Sequence, residues 1–158
     1  MKKYIFIAIC FIASFIISFQ RTTPTVLYDE LAAFVDQDDT KMGIYGSMFY
    51  FASFISFLLS SFLVSKFPLS YLLSIFLLIG GVGSIVLYFA KSFAVLCIAR
   101  FIIGIGLSPA IVIMILIFRS EHDPLTAYIS QNLLFLTDMF GALFTVGPFS
   151  SSFPYASS

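Results

Sequence analysis

The amino-acid sequence predicts an all-α membrane protein with about five transmembrane helices. The 158 residues are 60% hydrophobic and only 10% charged, with a mean hydropathy of +1.06. An average soluble domain carries about 25% charged residues, so the charged fraction of this chain is far below that of a soluble domain. Five apolar runs are each long enough to cross the roughly 30 Å hydrocarbon layer of a bilayer. The polar breaks between the last four runs are too short to hold another folded unit, so tight turns should join neighbouring antiparallel helices.

The first predicted helix has two possible ends, Phe19 and Val35. Its apolar run ends at Phe19, but leucine, phenylalanine and valine then recur at helical spacing up to Val35. Pro24 lies in this stretch, and membrane helices tolerate proline where neighbouring groups satisfy the freed carbonyl. We expect the helix to continue to Val35 and an acidic loop, 36–39, to follow. The predicted helices are about 4–35, 42–64, 69–89, 93–118 and 126–149.

Composition and charge exclude several functions. The 8 Lys and Arg balance the 8 Asp and Glu and are scattered, so no basic patch is present to bind nucleic acid. Cys10 and Cys97 lie in separate apolar runs without metal-ligand spacing, and we interpret them as apolar core residues. His122 is the single histidine and stands in a polar loop, where solvation is expected and a pH-sensing role is the alternative. The sequence therefore predicts no enzyme, no metal and no cofactor.

The distribution of basic residues predicts the orientation in the membrane. Short loops rich in lysine and arginine stay in the cytoplasm. A cytoplasmic N-terminus places four basic residues inside (Lys2, Lys3, Lys66 and Arg119) and two outside (Lys41 and Lys91). We expect an integral protein of the plasma membrane, the inner membrane of a bacterium, with its N-terminus in the cytoplasm. No convincing signal-peptidase site follows the first run, so we expect that run to be retained.

Three stretches of the sequence resemble the N-terminal part of a major facilitator superfamily transporter. They are Arg21 with residues 24–28, the segment 42–47, and the string ARFIIGIG at 99–106. The last is the most specific, because family members place an arginine there before Gly-x-Gly. The resemblance extends over about residues 4–149. It implies an incomplete N-terminal six-helix bundle of the major facilitator fold and secondary transport of a small solute.

The sequence departs from the family in one loop and in length. Family members usually have Gly-x-x-x-Asp-Arg-x-Gly-Arg between helices 2 and 3, whereas Ser65 replaces the acid here and Lys66 keeps one cation. The family folds as two six-helix bundles, and residues 1–149 would supply five helices of the first. We expect the Ser-rich segment 150–158 to be disordered. The sequence therefore favours a truncated or partial transporter, inactive alone and completed by a complementary fragment; the alternative is a membrane interaction protein that binds a partner chain.

Arg21, Arg100 and Asp138 are the candidate solute or ion-pathway residues. A charge at membrane depth must face protein or water. Arg100 lies about 10 Å and Asp138 roughly 16 Å from the outer ends of their helices, at 1.5 Å per residue. We predict that these two side chains pair, directly or through water. The pair is either a static contact or, as the resemblance implies, a site where protonation of Asp138 couples to transport. A third interpretation concerns Arg100 alone, whose side chain could extend (snorkel) to the membrane interface and make no pair.

Arg21 has two interpretations. It is an interface anchor if the first helix ends at Phe19, and otherwise it faces a central cavity where a guanidinium can bind a carboxylate or phosphate. The resemblance to anion-handling branches makes an organic anion the first expected solute.

Small residues and prolines predict close helix packing or bends; these are Gly104, Gly106, Pro109, Gly141, Gly147 and Pro148.

Overall fold

The computed structural model describes residues 2–26, 39–121 and 123–145, and the side chains of 8–23, 40–120 and 123–145. These residues form an all-helical bundle, which confirms the predicted fold class. The helices of the described part are α1 (Lys2–Val26), α2 (Asp39–Leu63), α3 (Leu69–Tyr88), α4 (Phe93–Glu121) and α5 (Pro124–Phe144).

The helix bounds differ from the predicted ones mainly at polar ends. Helix α2 begins at Asp39, so this residue belongs to a helix and not to the predicted loop. Helix α5 begins at Pro124, because proline fits the first turn of a helix, where its missing N–H is not needed. Helix α1 continues past Phe19 to Val26, as predicted for this part of the extension. The remaining predicted extension, 27–35, and the rest of the acidic loop lie outside the described residues. So do His122, Gly147, Pro148 and the Ser-rich segment.

Three helices of the described part are long and apolar enough to cross a membrane. The qualifying segments are Thr40–Leu63, Leu69–Tyr88 and Phe93–Ser120. In α1 the apolar stretch within the described residues, Ala8–Thr23, is shorter. Helix α5 has 21 residues, a length that can span, but Gln131, Asn132 and Asp138 make it more polar than the three. The more polar helices are thus α1 and α5, which pack against each other.

Helix α4 is the centre of the bundle. It contacts all four other described helices and has 29 residues. Its buried side chains Ile103, Ile113 and Phe118 belong to the main hydrophobic core. Pro109 lies inside α4 and is fully buried. The residues of α4 therefore determine where α2 and α3 can sit.

Glycines in α4 allow two neighbouring helices to approach at backbone distance. A Cβ atom at Gly106 would overlap the backbone of Gly80 in α3 and lie 2.6 Å from the carbonyl oxygen of Phe76. A Cβ at Gly104 would lie 2.7 Å from the carbonyl oxygen of Phe49 in α2. Because lipid gives membrane helices little hydrophobic drive to associate, such close backbone packing is a main source of their affinity.

The contact between α1 and α5 depends on two serines spaced one helical turn apart. Ser18 donates a hydrogen bond to the carbonyl of Asp138 at 2.5 Å, and Ser14 reaches the carbonyl of Leu134 at 3.4 Å. The small side chain of Ser18 also faces Gly141, where a Cβ would come within 2.9 Å. These contacts place the backbone of Asp138 beside α1, one turn before Arg21.

Candidate functional site

Arg21 and Asp138 form an ion pair between α1 and α5. The Nη2 atom of Arg21 lies 2.7 Å from Oδ2 of Asp138. The Arg21 side chain is 41% exposed, whereas that of Asp138 is 17% exposed. The second carboxylate oxygen of Asp138, Oδ1, is buried and has no hydrogen-bond partner within the described residues. The carboxylate is thus held by a single cation and keeps an unused acceptor.

The ion pair lines a cavity of about 310 Å³ between four helices. Tyr50 and Val112 line it and are exposed, so the cavity opens to the surface of the bundle. Most of its wall is apolar or aromatic, and its polar groups are the ion pair and a few hydroxyls. The lining residues are Ser14, Ile17, Arg21, Phe49, Tyr50, Ser53, Phe57, Ser108, Ile111, Val112, Leu134, Phe135 and Asp138.

Serine hydroxyls join α2 to α4 along one wall of this cavity. The hydroxyls of Ser53 and Ser108 lie 2.5 Å apart, and Ser53 also donates to the carbonyl of Phe49 at 2.7 Å. One turn further, Ser56 donates to the carbonyl of Ile105 at 2.6 Å. Interhelical hydrogen bonds of this kind fix the register of membrane helices. The α2–α4 wall is therefore held by hydroxyls as well as by packing.

Arg100 is buried beside the same end of α1 but does not line the cavity. It is 4% exposed, which rules out snorkelling to the interface in this structure. Its Nη1 donates to the carbonyl of Gln20 at 2.9 Å and its Nη2 to the carbonyl of Arg21 at 3.2 Å. The guanidinium carbon also lies 5.6 Å from the ring centroid of Tyr45 and 5.0 Å from that of Phe49. Both distances suit cation–π attraction.

The predicted direct pair of Arg100 with Asp138 is wrong. Asp138 pairs with Arg21, and Arg100 binds the backbone of Gln20 and Arg21. The prediction compared the depths of α4 and α5 alone, because these helices are consecutive in sequence. In the structure α1 packs on both of them, and its turn at Gln20 and Arg21 supplies the nearer partner for each charge.

A family model describes most of the chain. The model for "Sugar (and other) transporter" matches residues 3–126, which is more than half of the sequence. The chain belongs to this transporter family. The family is one of the major facilitator superfamily, so the resemblance based on ARFIIGIG is confirmed. No curated protein and no solved structure matches the chain.

As a member of this family, the chain is an integral membrane protein of the transporter class. Its long apolar helices agree with this assignment. The matched segment includes Arg21 and Arg100 but ends before Asp138. Any role of Asp138 therefore has to be argued from its geometry. Within the residues that the structure describes, no three His, Cys, Asp or Glu side chains come together to hold a metal ion.

The sequence-based reasoning missed several residues of the site. Ser14 and Ser18 were not among the candidates, although serines four residues apart in an apolar run are a usual sign of a helix contact. Gln20, whose Nε2 donates to Ser84 of α3 at 2.9 Å, was also missed. Tyr45 lies in the segment 42–47 that resembles the transporter family, but it was not a candidate, because one aromatic residue in an apolar helix is unremarkable among 21 phenylalanines and 8 tyrosines.

Proposed function

We propose that the cavity between α1, α2, α4 and α5 is part of the solute pathway of a major facilitator secondary transporter. The observation that carries this proposal is the Arg21–Asp138 pair, which faces the cavity from inside an apolar helical bundle. Charges at membrane depth are costly and mark solute or ion pathways when they face a cavity. The serine-lined wall and the aromatic rings complete a site of the kind that binds small molecules.

The exposed side of Arg21 requires a cover other than lipid. Its guanidinium is 41% exposed at a face that also carries Tyr50 and Phe135. In a membrane, an ionised group with that exposure has to meet water or protein. We propose that further transporter helices, which the family places opposite the first bundle, close this face and leave water between. The five helices are then a partial transporter, and transport requires that second part.

The state of the ion pair bears on the solute class. With the pair closed, the charges of Arg21 and Asp138 cancel and the remaining polar groups are hydroxyls, which favours a neutral, hydroxylated solute such as a sugar. With Asp138 protonated, Arg21 becomes free to bind a carboxylate in bidentate fashion, which favours an organic anion. Because the observed pair is closed, we propose the neutral hydroxylated class first and the organic anion as the alternative.

We further propose that protonation of Asp138 opens the pair during transport. The unpartnered Oδ1 atom is the position available to a proton. A protonated Asp138 loses most of its attraction for Arg21, so the contact between α1 and α5 at this level weakens. Solute binding and helix movement would then be linked through one carboxyl group. No enzymatic step is proposed.

The membrane and the orientation remain those that the basic residues favour. We propose a plasma-membrane location, the inner membrane in a bacterium, with the N-terminus in the cytoplasm. The support is the excess of lysine and arginine in the loops that this orientation places inside. Lys66 and Arg119 are exposed at helix ends on that side, as juxtamembrane cations should be.

The second candidate function is that of a membrane interaction protein. It is favoured by the same open face, which a separately encoded membrane chain could equally cover. The exposed side chains of α2 and α5 around the cavity, including Tyr50, Phe57 and Phe135, would then contact that chain and not a solute. In this case Arg21 and Asp138 act as assembly contacts.

Uptake measurements in cells that express the natural gene product test the first proposal. Radiolabelled neutral monosaccharides and small carboxylates serve as two solute panels. Asp138→Asn should remove uptake of the transported class while leaving insertion into the membrane intact. Asp123→Asn, which removes an exposed acid at the start of the same helix, is the matched control and should transport normally. Equal uptake by both variants would favour the interaction function.

A further inference from the structure

Four successive carbonyls near the end of α1 each accept a hydrogen bond from a side chain. The hydroxyl of Thr22 donates to the carbonyl of Ser18 at 3.0 Å, and that of Thr23 to the carbonyl of Phe19 at 2.6 Å. Arg100 donates the other two hydrogen bonds, to the carbonyls of Gln20 and Arg21. Side-chain bonds of serine and threonine to the preceding turn commonly accompany a bend in a helix. This turn of α1 therefore depends on side-chain donors.

Pro24 explains why this turn needs an external donor. In an α-helix the carbonyl of residue i accepts from the N–H of residue i+4, so the carbonyl of Gln20 would pair with position 24. Position 24 lies within α1 and is a proline, which has no N–H. The carbonyl that lacks this donor is the one that Arg100 binds at 2.9 Å. A carbonyl without a partner is costly inside a membrane, where lipid offers no donor, so a neighbouring group has to supply one.

The shape and surroundings of Arg100 suit this task. A guanidinium presents parallel N–H groups in a planar fork, so it can serve two successive carbonyls at once; a lysine ammonium offers no such geometry. No carboxylate of the described residues pairs with Arg100. Its positive charge instead meets two carbonyl oxygens and the faces of Tyr45 and Phe49.

We infer that Arg100 replaces the N–H that Pro24 withholds from α1 and thereby holds Arg21 in place against Asp138. The link is direct, because Nη2 of Arg100 binds the backbone carbonyl of Arg21 while the Arg21 side chain binds Asp138. On the far side of the same turn, Gln20 is tied to Ser84 of α3. Arg100 is thus a positioning residue for the ion pair and does not itself line the cavity.

The test is a mutant cycle between Arg100 and Pro24 in the full chain, read out by thermal unfolding in detergent. Arg100→Met removes the donors and keeps an apolar side chain of similar length. Loss of a hydrogen bond from a charged donor should lower the apparent melting temperature by on the order of 5 °C. Pro24→Ala restores an N–H at position 24, so adding it to Arg100→Met should recover most of that loss. Arg119 is an exposed arginine of the same helix and provides the control. Arg119→Met should leave the apparent melting temperature unchanged, and adding Pro24→Ala to it should not raise that temperature.

A second readout separates positioning from general stability. The coupling between Arg21 and Asp138 is obtained from the variants Arg21→Gln, Asp138→Asn and their combination. This coupling should nearly vanish in the Arg100→Met background and return when Pro24→Ala is added. Two results would overturn the inference: no rescue by Pro24→Ala, including failure of both variants to accumulate, or an unchanged coupling in Arg100→Met. Neither measurement depends on transport, so the proposed function can fail while this inference stands.

Discussion

The guanidinium of Arg21 in α1 binds the carboxylate of Asp138 in α5 at 2.7 Å, across 117 positions of sequence. Two serines of α1 bring the α5 backbone to this place, and the buried Arg100 binds the backbone carbonyl of Arg21 itself. The pair is therefore positioned by its surroundings and faces a cavity of the bundle. Because the pair carries the only two charges in the cavity lining of the described residues, we expect single substitutions there to have the largest effect.

Replacing Asp138 by asparagine should reduce solute uptake by about tenfold or more, since a charge-assisted hydrogen bond is commonly stronger than 1.4 kcal/mol. The asparagine cannot be ionised, so the proposed protonation step is also lost. Initial uptake rates at equal protein level in the membrane measure the effect. Arg21→Gln should cause a similar loss. Restored rates in the combined variant would indicate that the pair has only a structural role.

Replacing Gly106 by alanine should destabilise the bundle by about 1–3 kcal/mol, the usual cost of overpacking a close contact. The new Cβ would meet the backbone of Gly80, which cannot rotate away as a side chain can. Thermal unfolding in detergent measures the change. Gly81→Ala is the matched control, because a Cβ there meets nothing within 4 Å and alanine is the better helix former. Equal stability of the two variants would contradict the packing of α3 on α4.

Removing the hydroxyl of Ser18 should weaken the contact between α1 and α5 by a small amount, about 0.6 kcal/mol, the average for interhelical hydrogen bonds in a membrane protein. Ser18→Ala keeps the small volume that Gly141 requires, so only the bond to the Asp138 carbonyl is lost. Ser74→Ala is the comparison, since the exposed Ser74 bonds only within its own helix. The same unfolding measurement should show Ser18→Ala as the less stable of the two.

The orientation can be checked with single cysteines in a Cys10→Ala, Cys97→Ala background. Ser65 and Ser92 are exposed in the loops at opposite ends of α3. With the N-terminus in the cytoplasm, a membrane-impermeant thiol reagent added to intact cells should label Ser92→Cys and not Ser65→Cys. Labelling of position 65 alone would mean the inverted orientation and would contradict the interpretation of the lysine and arginine distribution.

The helices themselves follow closely from sequence, because their boundaries depend on local chemistry. Helices α3 and α4 begin at the predicted residues 69 and 93, where Pro68 and Ser92 end the preceding turns. The pairing of charges does not follow in the same way. It depends on which helices touch, and nothing local to Arg100 indicates that α1 lies within its reach. Pro24 gives a hint, because the carbonyl that a proline frees in a membrane helix needs another partner, but the sequence does not identify that partner.

Of the residues that line the cavity, only the charged ones could be predicted from the sequence. Arg21 and Asp138 stand out because ionisable residues are rare in apolar helices. The serines that shape the walls, such as Ser53 and Ser108, do not stand out in the same way. Serine is common on every helix of this chain, and only the packed structure shows which hydroxyls lie between helices and which bond back to their own helix.

The most direct test of the account is whether the cavity beside Arg21 and Asp138 holds water in the membrane. Val112→Cys places a thiol in the cavity wall, and Leu136→Cys places one on an exposed face of α5 outside it. Both are made in the cysteine-free background and treated in intact membranes with a hydrophilic thiol reagent. The account predicts rapid labelling at position 112, slowed by the transported solute, and very slow labelling at position 136. Equally slow labelling at both positions would show that lipid or protein fills the cavity, and would contradict its place in a solute pathway.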